Sequence, residues 1–266
     1  MKALAIMYHD VVEGDFESSG FPGAGANVYK LERADFARHL DAISEATGAG
    51  QLQIIEGRSN WGNSQPVFLT FDDGGVSAHG IVAAMLEERG WRGHFFIATD
   101  WIGRPGFLNE AQIRDLRRRG HVIGSHSSSH PARMSRVRWD QMRREWQDST
   151  QVLAQILGDP VKVASVPGGY YSPRVSEAAA LAGIEALFTS DPTNRARESD
   201  GCLVLGRYVV QRGMGPEWSG GFAAARLAPR WKQAALWTAK KTAKALGGEA
   251  YLRVRERLLG AKHRTQ

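Results

Sequence analysis

The stretch that most constrains the fold of this chain is VFLTFDDG at residues 67–74. A short apolar run that ends in a turn signal is typical of a buried strand. Asp72 and Asp73 at the end of this strand repel each other and lose hydration, so we expect a group that compensates their charge. A divalent metal ion bound by one carboxylate would leave the other ionised as a base. The simpler alternative is that an aspartate caps the following helix.

Candidate strands and helices alternate along most of the chain. The strands are predicted at residues 3–8, 51–55, 67–71, 94–98, 122–125, 161–166, 186–189 and 203–205. The helices are predicted at residues 31–46, 76–89, 109–119, 135–157 and 173–182. This alternation with short connections favours an α/β fold in which helices surround a parallel sheet, with a barrel as the simplest arrangement. A chain of 266 residues, 42% of them hydrophobic, is long enough to bury such a core.

Polar residues follow several of these strands at the carboxyl end, where barrel enzymes carry their catalytic groups. These positions are His9-Asp10, Asp72-Asp73, His126 and Pro167-Gly168. In a barrel, they would all face one mouth. Their convergence is the main sequence argument for an active site.

Two histidines are spaced so that they could share a metal ion. His126 and His130 lie four residues apart and face the same way if the segment turns helically. With Asp73 they make a set of two histidines and one carboxylate, which leaves open positions for water and substrate. The alternative is a pair of surface histidines in a serine-rich loop. The adjacent strand-end aspartates favour the metal site.

Two motifs in the sequence resemble the polysaccharide deacetylase superfamily, also called carbohydrate esterase family 4. They are TFDDG at residues 70–74 and GHVIGSHSSSH at residues 120–130, and the resemblance covers roughly residues 1–210. It implies a distorted, incomplete (β/α) barrel, here followed by a C-terminal helical appendage. It also implies that Asp72 is the general base and that one divalent metal is bound, most often zinc, with cobalt, nickel or manganese as alternatives. The implied metal ligands are Asp73, His126 and His130.

The third motif of that family, an Arg-x-Pro segment, is only partly present in the stretch SVPGGY. Pro167 and the amide of Gly168 are kept, and the resemblance implies that this amide helps to hold the oxyanion. Ser165 stands where the family has the arginine that orients the base. Arg174 and Arg207 are the candidates to take over that role.

Two further residues are candidates for contact with substrate. Tyr170 lies beside the Pro-Gly-Gly turn and could stack on a sugar ring, with packing in the core or rim as the alternative. Asp191 follows a predicted strand and could contact substrate or form a turn. The sequence leaves both alternatives open.

The last motif of the family, a Leu-x-His that supplies the general acid, is absent near residues 203–207. The stretch MYHDV at residues 7–11 instead matches the Tyr-His-Asp-Val pattern of circularly permuted poly-N-acetylglucosamine deacetylases. The resemblance implies that His9 is the general acid and that Asp10 is its orienting partner. A His-Asp turn without a catalytic role is the alternative.

The net positive charge of the chain comes from its C-terminal part. Eleven Lys or Arg residues and two Glu residues give residues 219–266 a charge of +9, so residues 1–218 carry −3 of the total of +6. A catalytic domain built on a nucleic-acid groove is therefore not expected. We predict a catalytic domain over residues 1–218 and a basic amphipathic helical tail over residues 219–266. Tryptophan and lysine residues between 229 and 260 would suit a membrane surface, and a helical appendage packed on the barrel is the alternative.

These features together predict a metal-dependent hydrolase that removes N-acetyl groups from an acetamido sugar in a glycan or a lipid-linked saccharide. One alternative is a hydrolase of another C–N bond, such as a cyclic amide or imide. The other is an inactive metal-bearing protein that binds glycans or docks on a membrane. The first residues lack the features of a signal peptide, and no apolar window of about 20 residues occurs. We therefore expect a cytoplasmic protein, or one held at the inner membrane face.

Overall fold

The computed structural model describes residues 1–48 and 51–238, and strands alternate with helices along this part of the chain. The strands are β1 (Leu4–Tyr8), β2 (Val11–Val12), β3 (Leu31–Glu32), β4 (Val67–Phe71), β5 (His94–Ile97), β6 (Val122–Ser125), β7 (Val163–Ser165), β8 (Ala186–Phe188), β9 (Arg197–Ser199), β10 (Cys202–Leu205) and β11 (Tyr208–Val209). The helices are α1 (Ala24–Asn27), α2 (Arg33–Ala46), α3 (Ala83–Glu87), α4 (Glu110–Arg118), α5 (Trp139–Leu157), α6 (Pro173–Leu181), α7 (Pro216–Ala223) and α8 (residues 227–238).

Nine of the strands form one curled sheet in the order β11-β1-β4-β5-β6-β7-β8-β10-β9. Neighbouring strands are parallel except β9, which is antiparallel to β10. The chain before β1 meets the chain before β9, where the Ala3 N–H donates to the Asn194 carbonyl at 2.9 Å. Among the described residues, the end strands β11 and β9 do not pair with each other. The fold is therefore the distorted, incomplete barrel that the sequence predicts, with a helical C-terminal region.

The register of the parallel strands brings the candidate catalytic residues to one edge of the sheet. β1 pairs with β4 along its whole length and ends with Tyr8 opposite Phe71. His9 and Asp72 come next, so they are neighbours at the carboxyl ends, and the Asp72 N–H donates to the Tyr8 carbonyl at 3.1 Å. His126 follows β6, two strands further along the sheet. The mouth predicted from the sequence is therefore present.

Two apolar layers stabilise the barrel. Inside it, Phe188 lies with its ring centroid 5.4 Å from that of Phe96 and 6.1 Å from that of Phe68. Outside it, Phe36 of α2 and Phe222 of α7 are fully buried against the strands. Because both faces of the parallel strands are covered, the strand sequences are continuously apolar rather than alternating.

The strand predicted at residues 51–55 is not formed. In the described part of this segment, only Leu52 makes a bridge, to Val67. Residues 53 and 54 are exposed, so the segment has no second apolar face to bury. Strands β2, β3, β9 and β11 are two or three residues long, which is too short for a hydrophobic pattern to indicate them.

Two predicted helices begin later than expected. α5 begins at Trp139 because Met134–Arg136 form a separate 3₁₀ turn. The helix predicted at residues 76–89 opens with a π-helical turn at Ala78–Val82, and only then continues as α3. The helix predicted after residue 109 is confirmed, with a capping box between Asn109 and Gln112.

The boundary predicted between residues 218 and 219 falls inside α7. Ser219 of this helix is buried, and its hydroxyl lies 2.8 Å from the Tyr8 hydroxyl and 2.6 Å from Nδ1 of His39. The start of the predicted tail therefore packs in the core, and the division into two units stays a prediction. Residues 239–266 of the tail lie outside the described part. Among the described residues, no helix is long and apolar enough to cross a membrane.

A buried histidine in β5 gives the fold a defined sensitivity to acid. Neutral His94 donates from Nδ1 to the Leu69 carbonyl at 3.1 Å, and its Nε2 accepts the Ile55 N–H at 3.0 Å. Burial lowers the pKa of His94 to about 4. Its pKa in the unfolded chain is about 6.5, so the unfolded state binds the proton more readily and this stabilisation is lost as the pH falls from 6.5 towards 4.

We expect His94 to contribute a loss of about 3 kcal/mol in unfolding free energy across that pH window. His39 and His121, whose pKa values burial also lowers, act in the same direction. Urea unfolding of the wild type and the His94→Asn variant at several pH values measures the effect of His94 alone. The same pH dependence in both proteins would contradict this prediction.

Candidate active site

Asp72, which follows β4, is held by an arginine that follows the distant strand β10. Arg207 donates from Nη1 to Asp72 Oδ1 at 2.7 Å and from Nη2 to Oδ2 at 2.8 Å. Both residues are buried, and Nε of Arg207 donates to the Thr189 carbonyl at 3.0 Å. Burial pushes the pKa of Asp72 upward, but the charge of Arg207 beside it outweighs burial and lowers it. The carboxylate is therefore ionised at neutral pH, as a general base requires.

The two arginine candidates for this role are thus distinguished. Arg207 contacts Asp72, whereas Arg174 at the start of α6 lies over the ring of Trp139, 5.2 Å from its centroid. The expectation for Arg174 is wrong because this side chain is engaged by α5 and not by the mouth of the barrel.

Ser165, at the position of the missing arginine, links the base to a candidate metal ligand. Its hydroxyl donates to Asp72 Oδ1 at 3.0 Å and lies 2.5 Å from Nδ1 of His126. The same Nδ1 lies 3.0 Å from the Ser165 carbonyl. A hydrogen on Nδ1 satisfies both contacts and leaves Nε2 of His126 with a free lone pair, which is the form that binds a metal.

Asp73, His126 and His130 form a compact set of potential ligands. Oδ1 of Asp73 lies 3.3 Å from Nε2 of His126 and 3.4 Å from Nε2 of His130. All three ligand atoms lie within 4.8 Å of one another. Burial alone would raise the pKa of Asp73, but the two imidazoles beside it outweigh burial and hold it well below its usual range. Asp73 Oδ1 is buried and accepts no well-formed hydrogen bond from the described residues, so the donor set fits a divalent cation.

The ligand-bearing segments adopt unfavourable backbone conformations. Asp73, Ser127 and His130 have φ values of 76°, 64° and 59°, in the left-handed region. Such a conformation costs of order 1–3 kcal/mol for a residue other than glycine, and it persists only where surrounding contacts impose it. Strain of this kind is concentrated at functional sites.

Glu145 of α5 is the contact that imposes the conformation of the histidine loop. Its buried carboxylate accepts the Ser128 N–H at 3.1 Å, the Ser129 N–H at 2.9 Å and the Ser129 hydroxyl at 2.6 Å. Sequence reasoning missed Glu145. The available signal was its helical spacing with Met142 and Trp146, which places a carboxylate on the buried face of α5.

A cavity of about 420 Å³ lies over these residues. Its lining includes Asp72, Asp73, His9, His126 and His130, together with the aromatic side chains of Phe21, Tyr29, Tyr170 and Trp237. The ring of His9 packs on that of Tyr29, with 4.6 Å between centroids. His9 therefore shares one cavity with the candidate base and the candidate metal ligands.

The expectation that Asp10 orients His9 is wrong. The Asp10 carboxylate accepts the hydroxyls of Ser19 at 2.5 Å and Ser77 at 2.8 Å. Nδ1 of His9 is buried and has no hydrogen-bond partner among the described residues. Asp10 is occupied in fixing the loop that contains Ser19, and the ring of His9 is positioned by packing on Tyr29.

The remaining candidates are distributed between the cavity and its support. Gly168 lines the cavity with φ 65°, and a Cβ there would collide with the Ala132 carbonyl, so glycine is required. Tyr170 also lines the cavity, whereas Pro167 is buried behind it. Asp191 does not line the cavity. Its Oδ1 accepts the indole N–H of Trp237 at 3.3 Å, so it supports the wall.

The fold and the site together define an α/β protein of the incomplete-barrel type, with a candidate metal triad beside an arginine-held carboxylate. Residues 60–187 match the family model described as polysaccharide deacetylase. The chain therefore contains a polysaccharide deacetylase domain over these residues.

Two named relatives and one solved structure are similar to this chain. The chain is 22% identical to YxkH of Bacillus subtilis (strain 168) over 217 residues, which cover 80% of this chain and 73% of YxkH. It is 31% identical to the chitin deacetylase of Colletotrichum lindemuthianum over 96 residues, which cover 34% of this chain and 39% of that protein. The fold is similar to that of the Streptococcus pyogenes deacetylase PplD, solved in complex with acetate. The TM-score is 0.63 at 20% identity, covering 82% of this chain and 96% of PplD.

Proposed function

We propose that this protein is a metal-dependent hydrolase that removes N-acetyl groups from an acetamido sugar within a glycan or glycolipid. The observation that carries the proposal is the Asp72 carboxylate, which is paired with the buried Arg207 and lines the same cavity as Asp73, His126 and His130. Metal binding by those three residues does not need a second carboxylate held ionised by an arginine. Hydrolysis does need one, because a base must take the proton of the attacking water.

The residues around the cavity have complementary roles in this reaction. A divalent cation on Asp73, His126 and His130, most simply zinc, would supply Lewis acidity toward the acetamido carbonyl and the attacking water. Asp72 accepts the proton of the water, and Arg207 keeps the carboxylate oriented. The N–H of Gly168 in the cavity wall donates to the developing oxyanion. His9 protonates the departing sugar amine.

The position of His9 supports the circularly permuted branch of the family. The family match begins at residue 60, after β1, yet β1 lies in the sheet between β11 and β4. The first strand of the chain therefore occupies a place beside the last strand. A histidine at the end of β1 can thus serve as the acid, although the motif that usually supplies it later in the chain is absent.

We extend this proposal to a lipid-linked substrate and to attachment of the protein to the inner membrane face. Three large apolar side chains of α8 are exposed: Leu227, Trp231 and Leu236. They belong to or adjoin the segment 229–260, whose lysines would add attraction to anionic lipid. Flotation of the full-length protein with anionic vesicles tests this part, and equal flotation of wild type and Trp231→Ala would remove it.

The zinc-loaded protein is expected to release acetate from N-acetylglucosamine oligomers. Removal of the metal with a chelator is expected to abolish turnover, and addition of zinc, cobalt, nickel or manganese is expected to restore it, because the proposed reaction depends on the Lewis acidity of the ion. Metal content is measured beside acetate release. Turnover of cyclic imides without turnover of the oligomers would favour hydrolysis of another C–N bond. Metal binding without turnover of either substrate would favour an inactive binding protein.

A further inference from the structure

Helix α8 is fastened to the open edge of the sheet beside the active-site mouth. The Gln233 side chain donates to the Val209 carbonyl at 2.7 Å and accepts the Val209 N–H at 3.0 Å, in the way that a neighbouring strand would. Arg230 adds a hydrogen bond from Nε to the Tyr208 hydroxyl at 2.7 Å. An edge strand leaves such backbone groups unpaired unless another element covers them. This arrangement fixes the position of α8 relative to β11.

One turn after Gln233, the same face of α8 carries Trp237 into the cavity. The indole N–H of Trp237 donates to Oδ1 of Asp191 at 3.3 Å. The Asp191 backbone carbonyl in turn accepts the N–H of Arg207 at 2.9 Å. Asp191 therefore links the indole to the arginine that holds Asp72. Trp237 is therefore a fixed part of the wall of the active site.

The turn after β7 is shaped to receive this ring. Gly169 has φ 69°, and a Cβ at this position would lie 3.0 Å from Cη2 of Trp237 and 3.2 Å from Cβ of Ser190. A side chain at position 169 would displace either the indole or the segment after β8. The indole thus lies directly against the Gly168–Gly169 turn, and both glycines of this turn line the cavity.

We infer that Trp237 is a substrate-binding residue that positions the sugar ring carrying the acetamido group. This inference rests on the proposed function. A pyranose has apolar C–H faces with hydroxyls at its rim, so it suits a cavity with aromatic walls and a few polar groups. The indole of Trp237 lines the cavity together with Gln211 and Ser190, whose side chains carry polar groups. The C-terminal helix is thereby part of the active site and not an appendage to it.

Steady-state kinetics on N-acetylglucosamine oligomers test this inference. Trp237→Ala is expected to raise KM about tenfold and to change kcat less than about twofold, because a lost ring contact weakens binding of ground state and transition state alike. Trp237→Phe keeps an aromatic face and is expected to give an intermediate KM. Trp61→Ala is the matched control, since the indole of Trp61 donates to the Lys2 carbonyl and the residue does not line the cavity. Its kinetics are expected to match those of the wild type.

Metal content and thermal unfolding of each variant are measured beside the kinetics. If Trp237→Ala does not fold, the inference is tested by comparing the KM of Trp237→Phe with the KM values of the wild type and Trp61→Ala. A wild-type KM in the variants at position 237 would overturn the inference while the proposed function stands. A fall in kcat at unchanged KM would also overturn it, because the ring would then act only through Asp191 and Arg207. A wild type that deacetylates no glycan contradicts the proposed function, and the inference falls with it.

Discussion

Replacing Arg207 with methionine is expected to lower the unfolding free energy by about 3–5 kcal/mol, because removing one partner leaves the other charge buried and uncompensated. The two side chains make a bidentate ion pair at 2.7 and 2.8 Å, and both are almost completely buried. Asp72→Asn leaves the charge of Arg207 buried and uncompensated, so this variant is also expected to be less stable than the wild type. Urea unfolding of both single variants measures these effects.

The double variant Asp72→Asn/Arg207→Met measures the coupling free energy between the two side chains. Since it removes both charges, it is expected to be more stable than the sum of the single effects predicts, by about 1–3 kcal/mol of coupling free energy. Additive single effects would show that Arg207 does not compensate Asp72. Arg89→Met is a suitable control, because the ion pair of Arg89 with Asp41 lies at the surface and is expected to contribute less than about 1 kcal/mol.

The deacetylation rates of the same variants provide a second test of the role of Asp72. Both Asp72→Asn and the double variant are expected to lose deacetylation by a factor of about 10²–10⁴, the usual contribution of a general base. Recovery of stability in the double variant without recovery of activity distinguishes a catalytic carboxylate from a merely structural one. Metal content is expected to stay at the wild-type level, because Asp73, His126 and His130 are unchanged. Near-wild-type turnover of Asp72→Asn would contradict its role as the base.

The sequence predicted the barrel and grouped the candidate metal ligands because both depend on local patterns. The apolar run at residues 67–71 indicates a buried strand, and the GSHSSSH segment indicates a pair of metal ligands. Each pattern is complete within one short stretch of sequence. The parallel register then brings the strand ends together without further information, since the carboxyl ends of parallel strands share one edge. This is why Asp72, Asp73, His126 and His130 could be grouped from the amino-acid sequence alone.

The partner of Asp72 could only be narrowed to two arginines. Arg207 and Arg174 both lie far from Asp72 in sequence, and long-range packing decides between them. One signal favoured Arg207: it comes directly after the strand at residues 202–205, whereas Arg174 lies at the start of α6. Asp10 shows that closeness in sequence does not establish a hydrogen bond. Its neighbour in sequence is His9, but its hydrogen bonds go to serines 9 and 67 residues away.

The sequence left open whether the first helix of the tail packs on the barrel or binds a membrane surface, for a related reason. Its tryptophans and basic residues form an amphipathic pattern, and such a pattern indicates a surface but not what covers that surface. The partner of the helix is β11, which has two residues and no hydrophobic pattern of its own. Gln233 recognises that edge through its amide, and a polar side chain within a basic helix gives no signal of such a contact. Trp237 could therefore be placed in the cavity only from the structure.

Replacing His9 with alanine is expected to reduce kcat by a factor of about 10²–10⁴, the usual contribution of a general acid. Three histidines line the cavity within the described part of the chain, and two of them, His126 and His130, belong to the candidate metal triad. His9 is thus the remaining imidazole in the cavity, beside Asp72 at the ends of the paired strands β1 and β4. The variant is expected to keep its metal, because none of the three ligands is altered.

His79→Ala is the matched control for this experiment, since Nε2 of His79 lies 3.0 Å from Oδ2 of Asp115 and the residue does not line the cavity. Loss of activity in His9→Ala, with full metal content and partial recovery on adding imidazole to the solution, would identify the ring itself as the proton donor. Added imidazole can replace a missing acid but cannot repair a distorted metal site. Full activity of His9→Ala would place the acid elsewhere in the cavity. The permuted arrangement would then have no catalytic basis, because β1 would deliver no reacting group to the mouth.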